Sequence, residues 1–424
     1  MTTTANQVSL AKLCKKTKFT KIGIYMNPVD NPFAPGAGSP PPELAGRDLI
    51  REQMTISIKR LRKGRPAKSM MLVGLRGVGK TVLLDQMMKD ASADGVVTIR
   101  IEAPEGRSLP ALLAPQLRLG LLKLSKVAAA ADAAVRGLRA LAGFASKLKV
   151  TFNDIEVGLD YDAEPGLADN GDLEGDLTAL LEQVGRAAAA AGTLVAIYID
   201  ELQYVEEPQL AALISALHRC AQLQLPITVV GAGLPQLRGR MGEAKSYAER
   251  LFEFASIGPL LPPEAKDAIE KPIEEEGAKI DADAVGQIIA YTRGYPYFVQ
   301  EWGKHAWDIA AQSPITLADV NAASTEAIAT LDESFFRVRF DRLTPTEKRY
   351  LRAMATLGPG PHRSGDIAAV LSRDSTSLAP CRSNLIGKGM IWSPTHGDTA
   401  FTVPLFDEFM VRIMPGDTWL AGDL

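Results

Sequence analysis

The chain has 424 residues, of which 46% are hydrophobic and 23% are charged, and its formal net charge is −3. These values are typical of a globular protein of roughly two or three domains, and they exclude recruitment of nucleic acid by overall charge. The cysteines, Cys14, Cys220 and Cys381, have no paired spacing, which argues against a disulfide framework or zinc site and favours a cytoplasmic location. No apolar run approaches the roughly 18 residues of a membrane-spanning helix, so we expect no membrane partner.

Residues 1–42 differ in composition from the rest of the chain. Lysines recur from Lys12 to Lys21 with no acid in residues 1–27, which predicts either a basic arm or a solvated tail. Prolines recur from Pro28 to Pro42, and because proline fixes φ and lacks a backbone N–H, this stretch cannot be helical. We predict that residues 1–42 form an N-terminal arm whose second half lies extended along the next domain.

The segment Gly74–Thr81 has the sequence Gly-Leu-Arg-Gly-Val-Gly-Lys-Thr, a full match to the phosphate-binding loop known as the Walker A motif. A strand-like apolar run, 70–73, precedes it and an apolar helical pattern begins at about Lys80. Backbone N–H groups of such a loop, and the positive end of the helix, bind phosphate oxygens, so a chance glycine-rich turn is the weaker interpretation. Lys80 would reach the β and γ phosphates, and the Thr81 hydroxyl would hold Mg²⁺. The predicted nucleotide-binding residues of this region are Gly74, Arg76, Gly77, Val78, Gly79, Lys80, Thr81 and Val82.

A second motif occupies residues 194–201, Leu-Val-Ala-Ile-Tyr-Ile-Asp-Glu. Mostly apolar, strand-favouring residues end here in two carboxylates, which is typical of a buried parallel strand that delivers acids to the ligand-binding edge of an α/β sheet. Asp200 would bind Mg²⁺ through water, and Glu201 would polarise the attacking water. Such a strand is also common in structural roles, but its place after a phosphate loop favours the functional interpretation, a Walker B motif.

Helical and strand-like segments alternate between about residues 43 and 262, which predicts a doubly wound parallel α/β sheet. Within it, residues of about 105–165 are predicted to be an insertion. Its first part is a helical, Ala- and Leu-rich region from Leu109 to Phe144. Its second part shows alternation at Leu148, Val150 and Phe152 and again after Asn153-Asp154, which predicts a β-hairpin.

The strands end near Pro262, and the rest of the chain predicts two further units. Residues 263–330 have helical patterns broken at Arg293-Gly294-Tyr295-Pro296 and are predicted to form a helical lid and connector. In residues 331–424, Thr344, Pro345 and Glu347 predict a capped helix, a short helix follows, and Ser377 is the predicted cap of a third. Two strand-like runs joined by a turn then complete a predicted winged helix-turn-helix.

With both motifs followed by a helical lid and a winged helix, the chain resembles the AAA+/STAND superfamily of P-loop ATPases, and in particular its origin-recognition-like branch, over roughly Glu43 to Pro415. The resemblance implies that ATP and Mg²⁺ are the cofactors and that Asp200 and Glu201 support hydrolysis. It implies that Arg47, in the segment Ala45-Gly46-Arg47-Asp48, flanks the adenine; the alternative is a plain helix start.

Three positions depart from the family pattern. The place of the polar γ-phosphate sensor is Gly231-Ala232-Gly233, with only Thr228 polar inside the strand. Gly294-Tyr295-Pro296 resembles the Gly-x-Pro signature of STAND ATPases, which implies that Pro296 is a nucleotide-binding residue. The resemblance places Tyr297 at the position where AAA+ lids usually carry a sensor arginine. Arg293 is either a substitute for that arginine or a solvent-facing residue. Arg250 lies where AAA+ proteins carry a catalytic inter-subunit arginine finger; a structural ion pair is the alternative.

These observations predict an ATP-driven switch or slow ATPase that couples its nucleotide state to the winged helix. Double-stranded DNA is the first candidate partner, because Arg382 and Lys388 lie on or near the expected recognition helix. The alternative is a STAND-like signalling or defence regulator whose winged helix binds a protein or packs on the lid. Self-association is left open.

Overall fold

A five-stranded parallel sheet organises the first part of the chain in the computed structural model, which describes residues 26–36, 38–151 and 161–420. The strand order is β2-β3-β4-β1-β5, so the strand after the phosphate loop is separated from β1 by two others. All neighbouring pairs are parallel, which places every carboxyl end at one edge. The strands are β1 (Ser69–Val73), β2 (Val97–Glu102), β3 (Val195–Asp200), β4 (Ile227–Gly233) and β5 (Phe252–Ser256).

Helices cover both faces of this sheet, as the doubly wound prediction requires. One face packs against α1 and α2 through side chains such as Met70 and Leu72, and the other packs against α3, α5 and α6 through Ile99 and Ile197. Residues of β3 and β4 are buried throughout, which explains their continuous apolar composition. The helices of this region are α1 (Asp48–Arg62), α2 (Lys80–Ala93), α3 (Leu109–Leu124), α4 (Ala131–Thr151), α5 (Leu173–Ala190), α6 (Glu207–Gln222), α7 (Leu237–Ala244) and α8 (Ala248–Leu251).

The predicted hairpin near residue 150 is wrong in its first strand. Residues 148–151 continue helix α4, which ends at Thr151. Extending an existing helix fixes one residue per hydrogen bond and needs no new nucleus, so three alternating apolar residues were too weak a signal to end it. The second predicted strand falls mostly in 152–160, outside the described residues.

Four helices form the lid after the sheet, and the proline-rich arm lies along it. The Trp307 indole donates to the Asn27 carbonyl at 2.9 Å, the Asn31 amide donates to the Lys304 carbonyl at 3.0 Å, and Phe33 is buried beside Gly303. These contacts place the first part of the arm along the lid rather than along the domain that follows the arm in sequence. The prediction that the arm cannot be helical is wrong at Pro28–Asp30, which form a short 3₁₀ turn; proline is tolerated there because the first N–H of a helix has no partner within it. The lid helices are α9 (Pro262–Glu275), α10 (Ala282–Thr292), α11 (Pro296–Ile309) and α12 (Leu317–Thr330).

A π-helical turn, Leu331–Phe336, and α13 (Arg337–Phe340) connect the lid to a C-terminal unit of helices and a three-stranded antiparallel sheet ordered β6-β8-β7. The predicted capping box is present: Thr344 accepts from the Glu347 N–H at 3.3 Å, and the Glu347 carboxylate accepts from the Thr344 N–H at 2.8 Å. The elements are α14 (Pro345–Thr356), β6 (His362–Arg363), α15 (Ser364–Val370), α16 (Ser375–Gly387), β7 (Ile391–Trp392), β8 (Asp398–Phe401) and α17 (Phe406–Ile413).

The prediction for the third helix of this unit needs one correction. Its cap is Asp374 rather than Ser377, because the Asp374 carboxylate accepts from the Thr376 N–H at 2.7 Å. An aspartate one residue before the first helical residue satisfies a free N–H there, and Ser377 lies inside the first turn.

In the part of the chain that the structure describes, none of the helices has the length and apolar character needed to span a membrane.

Candidate functional site

A cavity of about 430 Å³ opens at the carboxyl edge of the large sheet. Its volume lies in the range of roughly 300–1,000 Å³ that is usual for small-molecule sites. Four parts of the chain enclose it: the proline-rich arm, the phosphate loop with the start of α2, the ends of β2 and β3, and the lid with its connector. Its lining residues include Pro35, Gly38, Ser39, Pro41, Arg47, Arg76, Gly77, Gly79, Lys80, Thr81, Val82, Glu102, Asp200, Glu201, Pro296, Tyr297, Phe335 and Arg339.

The loop between β1 and α2 has the backbone that its glycines predict. Gly77 and Gly79 have φ of 76° and 86°, a left-handed conformation that other residues seldom adopt. Gly74 is needed for a different reason, since a Cβ there would lie 2.1 Å from the Ile257 carbonyl oxygen. Gly74 and Val78 do not line the cavity, and the Val78 side chain is buried in the core instead.

Lys80 is the first residue of α2 and its ammonium group lies under the loop. It donates to the carbonyl oxygens of Gly74 at 3.0 Å and Leu75 at 2.8 Å. Burial lowers the pKa of Lys80 to about 8, an effect partly offset by the Glu201 and Asp200 carboxylates. The arrangement places a cation at the centre of the phosphate end of the cavity.

Asp200 and Glu201 stand together where β3 ends. The Asp200 carboxylate accepts from the Glu201 N–H at 2.9 Å and lies 3.3 Å from the Arg100 guanidinium. Glu201 has a left-handed backbone, with φ of 55°, which turns its side chain out of the strand direction. Its carboxylate accepts from the Gln203 amide and lies 3.7 Å from the Arg76 guanidinium.

The residues at this end of the cavity fit Mg²⁺. Thr81 and Asp200 offer one hydroxyl and one carboxylate beside the phosphate loop, and both line the cavity. Mg²⁺ usually keeps several waters and takes one or two protein oxygens in addition to phosphate oxygens, so this small donor set is sufficient.

Arg47 lines the cavity behind the phosphate loop. Its guanidinium donates to the Gly258 carbonyl at 2.6 Å and to the Val78 carbonyl at 3.4 Å, and burial lowers its pKa. The arm crosses beside the start of α2, since a Cβ on Gly38 would lie 3.6 Å from the Thr81 methyl carbon. Arg47 therefore ties the start of α1 to the back of the phosphate loop while its side chain lines the cavity.

The lid and the C-terminal unit both contact the phosphate loop. The Tyr297 N–H donates to the Gly77 carbonyl at 3.1 Å, next to Pro296, which lines the cavity. From the other side, the Arg76 N–H donates to the carbonyl of Thr402, which follows β8, at 2.9 Å. The Arg76 guanidinium also donates to the Tyr204 hydroxyl at 2.6 Å.

The predicted sensor position carries no polar side chain. Thr228 lies at the start of β4, where its hydroxyl is 3.2 Å from that of Ser69, far along the strand from the cavity edge. A Cβ on Gly233 would lie 2.9 Å from the Gln203 amide oxygen. That oxygen accepts from the Leu234 N–H at 3.0 Å, so Gln203 joins the end of β4 to Glu201.

Three other predicted site residues, Arg250, Arg382 and Lys388, do not line the cavity. Arg250 is exposed just before β5, whose first residue pairs with Ser69 at the edge opposite the phosphate loop. No carboxylate of the described residues lies within 4.0 Å of Arg250, so the structural ion pair that the sequence allowed is not formed there.

Arg382 and Lys388 are engaged within the C-terminal unit. Arg382 donates to the Thr399 hydroxyl at 3.0 Å and to the Asp398 carbonyl at 2.9 Å. Lys388 lies 2.7 Å from the buried Glu347 carboxylate. Arg293 was the predicted substitute for the sensor arginine of the lid. It pairs with Glu408 of α17 at 2.5 Å and does not line the cavity.

Sequence reasoning missed several cavity residues: Glu102, Tyr297 as a contact to the loop, Phe335 and Arg339. Glu102 pairs in register with Asp200, so its place at the end of a predicted strand was the available signal. Phe335 lies in the π-helical turn and Arg339 in α13, both after residue 330, and no local pattern marks them.

Residues 43–230 match the family model of the AAA ATPase domain, and this stretch contains the loop and the two acids described above. This part of the chain is therefore similar to AAA+ P-loop ATPase domains. Residues 333–410 match a second model, described as a domain of unknown function (DUF8462). The sequence has no match among the curated proteins.

Several solved structures are similar to this chain over most of its length. The Walker-type ATPase of Pyrococcus abyssi has a TM-score of 0.57 at 13% identity, over 87% of this chain and 96% of that one. The Aeropyrum pernix ORC1 protein in complex with DNA has a TM-score of 0.46 at 16% identity, over 88% and 94%. A Thermotoga maritima RuvB variant has a TM-score of 0.42 at 15% identity, over 84% and 93%. The first likeness shows the fold alone, and the other two are too distant to carry a conclusion.

Proposed function

We propose that the protein is an ATP-binding and ATP-hydrolysing switch in which the nucleotide state controls the docking of the C-terminal unit on the phosphate loop. One observation carries this proposal: the Arg76 N–H, inside the loop, donates to the carbonyl of Thr402. A second contact supports it, since a Cβ on Gly389 would lie 3.3 Å from the Arg76 guanidinium and 3.1 Å from the Tyr204 hydroxyl. Any movement of the loop around phosphates therefore acts directly on this unit.

Within this function, the cavity residues have distinct roles. Loop N–H groups and Lys80 bind the phosphates, and Thr81 and Asp200 hold Mg²⁺, which supplies charge neutralisation when bound. Glu201 orients and activates the attacking water. Arg47 and Pro296 stand on the base side and the lid side of the nucleotide.

We further propose the division of the chain into an arm (1–42), the ATPase core (43–262), the lid and connector (263–330) and a C-terminal winged helix (331–424). The order of α14, α15, α16 and the β7–β8 pair supports the winged-helix interpretation. The inward contacts of Arg382 and Lys388 favour the interpretation in which this unit packs on the protein, or binds a protein, over DNA recognition.

Hydrogen exchange tests the switch directly. Peptides that cover residues 386–404 should exchange at rates that differ severalfold between the ADP complex and the complex with a non-hydrolysable ATP analogue, both with Mg²⁺. The reason is that exchange reports local opening, and docking protects this segment. Mass spectrometry of the full chain at saturating nucleotide measures the rates.

The Lys80→Ala variant is the control for that experiment, because weakened nucleotide binding should remove the difference at the same nucleotide concentrations. Peptides from α4, remote from the loop, should exchange equally in both complexes. Equal rates over 386–404 in two saturated wild-type complexes would contradict the switch.

Duplex DNA as a partner stays a prediction with its own test. If Arg382 and Lys388 bind phosphates, replacing both with Ala should weaken DNA binding and reduce its salt dependence by roughly two counterions. Gel shifts across a salt series measure this. If the full chain does not bind duplex DNA at low salt, either with or without ATP, binding of a protein partner remains as the function of this unit. Arg250 as a trans-acting finger likewise stays a prediction; its exposed position is compatible with reaching another subunit.

A further inference from the structure

Arg339 is a cation in the cavity that comes from outside the ATPase domain. It lies on α13, within the stretch 333–410 that matches the second family model, and its half-buried side chain lines the cavity. Its guanidinium lies 4.1 Å from the centre of the Phe335 ring and donates to the Phe335 carbonyl. The Phe335 ring in turn stacks on Tyr297 with centres 4.7 Å apart, so the side chain is held between lid and connector.

No carboxylate of the described residues lies within 4.0 Å of Arg339. Arg337, two positions earlier on the same short helix, pairs with Asp341 at 3.1 Å and is exposed. Burial, followed by the neighbouring charge of Arg76, lowers the pKa of Arg339 to about 10, which leaves it charged at neutral pH. A partly desolvated cation without a carboxylate partner is costly, and an anion in the cavity would offset that cost.

The neighbours of Arg339 show which part of a nucleotide would meet it. Tyr297, which stacks on Phe335, donates its N–H to the Gly77 carbonyl of the phosphate loop at 3.1 Å, so Phe335 and Arg339 lie beside the phosphate end of the cavity. The charges of Arg76 and Glu201, which belong to that end, also act on Arg339. Arg47 instead contacts the Gly258 and Val78 carbonyls behind the loop. When the inner phosphates of a nucleotide lie in the loop, the phosphate that reaches Arg339 is therefore the outermost one.

We propose that Arg339 binds the terminal phosphate of ATP in the same chain, and so links the C-terminal unit to ATP but not to ADP. This inference rests on the proposed ATP-binding function, and it adds the residue that distinguishes the two nucleotides. A guanidinium suits the role because its fork of donors can bind two phosphate oxygens at once.

Equilibrium binding of a non-hydrolysable ATP analogue and of ADP, with Mg²⁺, tests the inference. Arg339→Ala should lower the affinity for the ATP analogue by roughly tenfold or more and change that for ADP by less than about twofold, because only the analogue has the contacted phosphate. Arg337→Ala removes the same charge from the same helix outside the cavity and should change neither affinity.

Unchanged affinity for the ATP analogue in Arg339→Ala, or an equal loss for both nucleotides, would overturn the inference while leaving the proposed function intact. A folded wild-type chain that binds neither nucleotide would overturn both. Thermal melting of the nucleotide-free variants checks folding. If Arg339→Ala is destabilised, Arg339→Lys replaces it; this variant keeps the charge but loses the donor fork, and should show the same selective loss at smaller size.

Discussion

Replacing Glu201 with Gln should lower the rate of ATP hydrolysis by about a hundredfold or more while ATP still binds. Glutamine keeps the shape and hydrogen-bonding capacity of the side chain but lacks the charge that activates water. Glu201 suits this role because it lines the cavity beside Asp200 and is held in place by Gln203 and Arg76. Phosphate release under single-turnover conditions measures the chemical step, and binding of a labelled nucleotide measures affinity.

Glu207→Gln is the matched control, since Glu207 is exposed at the start of α6 and lies outside the cavity lining. It should hydrolyse ATP at the wild-type rate. Wild-type turnover in Glu201→Gln would show that another group activates water. Glu102 would then be the carboxylate to replace next, because it lines the same cavity and pairs in register with Asp200.

Replacing Lys80 with Ala should lower nucleotide affinity by roughly tenfold or more, which corresponds to about 1.4 kcal/mol or more for one lost charge-assisted contact. Lys80 is the cation at the centre of the phosphate end, where it now donates to two loop carbonyls. Titration with a fluorescent ATP derivative measures the change.

Lys89→Ala controls for loss of a lysine from the same helix, because Lys89 is exposed and outside this cavity. Its affinity should match the wild type. If Lys80→Ala binds ATP as tightly as the Lys89 variant, the phosphates do not lie in the Gly74–Thr81 loop.

The ATPase core was predictable because its signals are local. A strand, a glycine-rich turn and a helix follow one another within residues 69–93, and the left-handed angles of Gly77 and Gly79 are those that the motif requires. The same holds for Asp200 and Glu201, since a buried parallel strand brings its last residues to the sheet edge. Parallel pairing of β1 with β4 and of β3 with β4 then placed both motifs at one cavity.

Contacts between distant segments were not predictable in the same way. Arg76 and Thr402, or Gly77 and Tyr297, are far apart in sequence, and only the packing of the C-terminal unit and of the lid brings each pair together. The prediction of DNA contacts met the same difficulty. The sequence placed Arg382 and Lys388 on or near α16, but it could not show that both side chains already have partners within the unit. These partners are Thr399, Asp398 and Glu347. A sequence shows which side chains are charged, but it does not show which groups they contact in the folded protein.

Calorimetric titration of the wild-type full chain with a non-hydrolysable ATP analogue and Mg²⁺ tests the central claim most directly. We expect saturable binding of one analogue per chain, in competition with ADP, because the arm, loop and lid enclose a cavity of about 430 Å³ around the phosphate loop at the sheet edge. A folded chain that gives no saturable binding of either nucleotide in the presence of Mg²⁺ would contradict it.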